Sequence, residues 1–148
     1  MIIILTGVLG AIISAVTGTI WYSNATPMGK WHMAYLGFDK LSKPEQDKLI
    51  AEAKPKMWKT YSAQMFLSLL TSLFIAGVTS YTIQSGGPAN AVYYYVVMIW
   101  VAFTVPMIGQ NILWGKTEGG LAWKKFCSDS AYNLITFLLI ALMVTLIV

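Results

Sequence analysis

All ten lysines and all six carboxylates of this 148-residue chain lie in two segments, residues 30–59 and 116–129. Outside those segments no Asp, Glu, Lys, Arg or His occurs. A Lys at the middle of a bilayer costs about 2.5–3.5 kcal/mol on insertion scales. The uncharged stretches are therefore ones that hydrocarbon accepts, and the charged ones are held in water. The chain is 57% hydrophobic and 11% charged, with mean hydropathy +0.63. A soluble domain averages about 25% charged residues. So little charge does not cover a water-facing surface.

The alternation predicts an all-α, polytopic membrane protein of one domain, residues 1–148, built as a four-helix transmembrane bundle. The spans are expected at about 2–23, 58–84, 91–114 and 130–148, and the charged loops at 24–57 and 115–129. Each span approaches or exceeds the roughly 20 residues a helix needs to cross. A cleaved signal peptide is the rival reading of the first stretch, and Ser23-Asn24-Ala25 has the small residues of a cleavage site. Two features oppose it: no Lys or Arg precedes the apolar run, and the run is longer than a typical signal core.

Four spans put both charged loops on one face. Lys-rich short loops stay in the cytoplasm. The expectation is an integral protein of a plasma or inner membrane, with both termini and the uncharged turn Ser85–Asn90 outside. That orientation discounts the sequon Asn24-Ala25-Thr26 as a glycosylation site. Trp21, Tyr22, Trp31, Trp58 and Trp114 are expected as interface anchors on the charged side.

Small residues recur every fourth position in the first span along two ridges, Gly7-Ala11-Ala15-Thr19 and Gly10-Ser14-Gly18. Helices in lipid gain nothing hydrophobic by associating, so close approach through small residues is favoured. Gly7, Gly10, Ala11, Ser14, Ala15 and Gly18 are thus the expected helix-packing positions. Gln64, Ser68, Ser72, Ala76 and Ser80 form a similar ridge in the second span, with Ser hydroxyls expected on backbone carbonyls. In the first loop, Ser42-Lys43-Pro44-Glu45 reads as a capping box opening a short amphipathic helix through about Ala53. Lys54-Pro55 is expected to end it. Pro106 is expected to kink the third span by displacing the carbonyl of Ala102.

The residues supply no catalytic, metal or cofactor site. Cys127 is the one cysteine and His32 the one histidine, so disulfide, haem and metal chemistry lack partners. Proton-coupled carriers generally need an ionisable group inside the membrane, and the expected spans have none. Gln64, Gln110, Asn111 and Asn133 are the polar side chains that could form a layer near the charged ends of their helices.

Trp21-Tyr22-Ser23 closing the first span, then Gly29-Lys30-Trp31 and Leu36-Gly37-Phe38, resemble the opening signature of the DUF1761 family of uncharacterised membrane proteins. Met57-Trp58-Lys59 and the long first loop are similar too, with Gln110-Asn111 and Tyr132-Asn133 as further correspondences. The resemblance supports the four-span architecture and implies no activity, substrate or catalytic residue. Two functional expectations remain. One is a non-enzymatic protein contacting membrane lipids, acting as a homo-oligomer or as an accessory subunit of a larger complex, with no nucleic-acid partner. The other is a pathway for a small solute, ion or lipid lined by the Asn and Gln residues.

Overall fold

The computed structural model describes residues 2–115 and 119–148. Its elements are α1 (Ile2–Trp21), α2 (Pro27–Tyr35), a 3-10 turn (Phe38–Lys40), α3 (Lys43–Gln84), α4 (Ala89–Ile99), a π-helical segment (Trp100–Thr104), α5 (Val105–Leu113) and α6 (Gly120–Ile147). No strand occurs among the described residues. Four helical rods, Ile3–Trp21, Lys43–Gln84, Ala89–Leu113 and Gly120–Ile147, are long and apolar enough to cross a membrane.

The first rod packs on α3 and α6 through its small side chains. A Cβ on Gly7 would stand 2.8 Å from Leu73 Cγ, and one on Gly10 would stand 2.9 Å from Ser72 Cβ. Ala11 and Ser14 are buried, while Ala15 and Thr19 are exposed. A four-residue step overshoots one turn of a 3.6-residue helix. The ridge that starts at Gly7 therefore winds out of the interface, and Gly10-Ser14-Gly18 remains in or near it. On α3, Ser72, Ala76 and Ser80 are buried, but the Ser72 and Ser80 hydroxyls reach no carbonyl. Ser72 fills the notch left by Gly10 instead. The apolar core joins Ile75 and Ala76 of α3, Val92 and Val96 of α4, and Phe137, Ile140, Ala141 and Val144 of α6.

Four local features depart from the sequence reading. Residues 27–35 form a helix, α2, where loop was expected: the Thr26 hydroxyl accepts from the Gly29 N–H at 3.0 Å, and Pro27 occupies the first turn. The capping box is present, with the Ser42 N–H donating to Glu45 Oε2 at 2.8 Å. The helix it opens does not stop at Lys54-Pro55, however; α3 runs on through Pro55 to Gln84. Proline removes one intrahelical bond. Residues 51–56 are all exposed, so water can solvate the carbonyl thereby freed at Ala51.

At Pro106 the rod accommodates the ring by widening. The Val105 N–H donates to the Trp100 carbonyl, five residues back, through the π segment. Finally, α6 begins at Gly120 rather than at 130. Lys124, Lys125 and Asp129, assigned from the sequence to a loop, thus lie on helix.

Candidate functional site

The segment joining α1 to α2 folds back on itself. Thr26 Oγ1 lies 2.7 Å from the Trp21 carbonyl and 2.9 Å from that of Ser23, so its hydroxyl ties the end of α1 to the start of α2. Gly29 sits under this turn. A Cβ there would stand 2.8 Å from the Tyr22 carbonyl oxygen and closer still to that of Ser23. Backbone cannot yield as a side chain can, so the fold-back requires glycine.

The fold-back presents Trp21, Tyr22 and His32 to the first turns of α6. Trp21 Nε1–H donates to Ser128 Oγ at 3.1 Å, and the Tyr22 hydroxyl donates to Asp129 Oδ1 at 2.7 Å. The other oxygen of Asp129 is bonded by Lys125, one helical turn earlier. Lys125 is 8% exposed, which makes it the one buried lysine among the described residues. Its Nζ also lies 5.5 Å from the Tyr22 ring centroid and 5.7 Å from that of Tyr35. A buried ammonium is tolerated only when paired and hydrogen-bonded. Here one carboxylate and two aromatic faces do that work.

Further contacts fasten the same region. The Tyr132 hydroxyl donates to the Ser14 carbonyl at 2.9 Å, beside Gly18. The Asn133 amide donates to the Asp129 carbonyl at 2.8 Å. Trp100 Nε1–H donates to the Ser130 carbonyl at 2.8 Å. The Tyr22 ring touches two others, with centroids 4.9 Å away for His32 and 5.3 Å away for Tyr132. Lys124 lies over Trp31, 5.7 Å from its centroid.

His32 is half-buried, and its Nδ1 is enclosed without a hydrogen-bond partner. Burial, and next the Lys125 ammonium, push its pKa below the ordinary value of 6.5, against an opposing pull from Asp129. The ring is thereby held neutral. The cluster contains a carboxylate, an ammonium, three phenols and an imidazole, and each oxygen of the carboxylate is already engaged by one donor. Its chemistry is that of a closed latch with one unused nitrogen.

The sequence-predicted site residues are placed differently. Gln64, Gln110 and Asn111 are exposed; only Asn133 is half-buried, and it bonds within its own helix. No hydrogen bond joins any two of the four among the described residues. Gln110 instead lines an apolar cleft of about 540 Å³ between α5 and α6, with Pro106, Gly109, Trp123 and Phe126. Of the expected anchors, Trp58 and Trp114 are exposed, at 64% and 90%, whereas Trp21, Tyr22 and Trp31 turn inward to the latch. Lys125, Ser128, Asp129 and Tyr132 were missed. The available signal was the absence of Gly and Pro from residues 121–148, which leaves nothing to delay the helix until 130.

No curated protein and no solved structure matches the chain. A family model described as a protein of unknown function, DUF1761, matches residues 5–145, a range that includes every residue of the latch. The chain belongs to the DUF1761 family.

Proposed function

We propose that this protein is a non-enzymatic integral membrane protein that works by association within the bilayer, as a homo-oligomer or as an accessory subunit. One observation carries the reading. Every residue from Trp58 to Leu67 on α3 is exposed, on all sides of the helix. This stretch leads directly into the apolar, membrane-crossing part of α3, and it carries the Gln64 amide, which makes no hydrogen bond. Polar side chains between helices are a recurrent source of association at and within the membrane. A partner helix laid along Trp58–Leu67 would cover Tyr61, Met65 and Phe66 and satisfy Gln64.

The test is disulfide trapping in native membranes with Met65→Cys in a Cys127→Ser background. A cross-linked dimer, or a reproducible adduct with one other membrane protein, is the expected result, and adding Gln64→Leu should weaken it several-fold. A chain that stays monomeric and copurifies with nothing would count against association.

A second reading, the small-solute pathway, draws on residues other than the Asn and Gln set. The hydroxyls of Ser72, Thr79, Ser80 and Ser130 are buried inside the bundle without partners. Each such group costs about 1–3 kcal/mol if left unpaired. A small polar solute or water meeting them would offset that cost. Proteoliposomes that admit small polar solutes, and lose that permeability with Thr79→Val, would favour this reading.

A further inference from the structure

We propose that His32 is an acid-sensitive release for α2: adding a proton to its enclosed Nδ1 loosens the α2 segment from α1 and α6. The inference does not depend on the association reading above. It rests on how the latch is filled. As an unprotonated nitrogen, Nδ1 is an acceptor with an idle lone pair. Protonated, it is a buried donor with no acceptor within bonding distance, and both oxygens of the nearby carboxylate are engaged elsewhere. Asp129 Oδ1 already accepts from Tyr22, and Oδ2 is occupied by Lys125.

The charges point the same way. From α6, His32 faces Lys125 and Asp129, and from the end of α1 it faces Tyr22. Tyr35 is on α2 itself and lies under Lys125. Asp39 and Lys40, on the adjoining 3-10 turn, are exposed. Lys124 is engaged with Trp31. With neutral His32 the buried pair sums to zero charge. With His32 protonated, two cations share one carboxylate.

The sign follows from proton linkage. The docked state binds a proton at His32 less readily than the undocked state, whose imidazole has a pKa near 6.5. Docking is therefore fully favoured above about pH 6.5 and weakens as pH falls below it. Release frees one short helix rather than the bundle, because α2 touches only α6 and the 3-10 turn extensively.

His32 is the only histidine, so its imidazole signals are unambiguous. The experiment uses the full chain in phosphatidylcholine nanodiscs. Two readouts are taken from pH 8 to pH 5: the NMR titration of labelled histidine, and amide exchange over residues 27–36 corrected for intrinsic rate. The expected result is a midpoint below 6.5, with exchange in α2 rising several-fold along the same titration. Exchange in His32→Asn should be flat over that range. A midpoint at or above 6.5 would overturn the proposal, as would pH-independent exchange in the wild type. An equal acid response in His32→Asn would place its cause outside His32 and overturn it too. If that variant does not fold, the wild-type midpoint and the coincidence of the exchange rise with it decide together.

Discussion

At the scale of the residue, the molecule is organised by one buried charge. Lys125 and Asp129 have 11% and 19% of their side chains exposed. Removing one member leaves the other uncompensated, which costs about 3–5 kcal/mol for a fully buried pair. Lys125→Met should therefore cost about 3 kcal/mol, toward the low end because some solvent remains. Adding Asp129→Leu should restore only part of the loss, since an apolar pair needs no partner but the Tyr22 hydroxyl loses its acceptor. Unfolding in mixed detergent micelles measures both variants. Gly29→Ala tests the fold-back beside the pair. Its new methyl meets two carbonyls, and a loss of about 1–3 kcal/mol is expected from overpacking. Faster proteolysis within residues 27–36 would locate that loss at α2.

At the scale of the element, helix ends matter more than helix existence. The capping box at Ser42 was legible because it is a local arrangement of four residues. The continuity of α3 was not, because proline's cost depends on whether the freed carbonyl meets water. It does at the exposed Ala51. Pro55→Ala should restore the missing bond and raise helix propensity, a gain of up to about 3 kcal/mol. Slower amide exchange over residues 43–60 with no change in α6 is the expected outcome. A similar lesson holds at Pro106, where a steric clash readable from sequence is absorbed by the π segment at Trp100–Thr104. The size of the perturbation is set locally, but its shape is set by what the neighbouring helix allows.

At the scale of the whole molecule, α3 and α6 both begin at the lysine-rich end, and α1 ends there beside α6. Two lysines far apart in sequence are thereby expected on one aqueous face. Lys48→Cys and Lys124→Cys, each in a Cys127→Ser background, should react alike with an impermeant maleimide in oriented vesicles. Labelling from opposite sides would break the topology on which the membrane reading depends. The same arrangement brings Trp21 and Tyr22 to Ser128 and Asp129, across 107 positions of chain.

Composition alone determined that four apolar rods alternate with charged segments, because the cost of placing a lysine in hydrocarbon acts residue by residue and needs no knowledge of neighbours. It also marked Gly7 and Gly10 as points of close approach, since small side chains at fixed spacing are a local pattern. Only the tertiary structure decided which polar groups meet. Gln64, Gln110 and Asn111 share a chemistry that suggested a common layer, yet Gln64 lies where α3 is exposed on every side, and Gln110 and Asn111 are exposed on α5. Lys125 looked like one more loop lysine until the early start of α6 set Asp129 one turn away and the fold-back at Gly29 brought two aromatic rings over it. Such partnerships depend on the rotation and offset of helices against one another, which are fixed by the summed packing of the bundle and leave no trace in any single stretch of sequence.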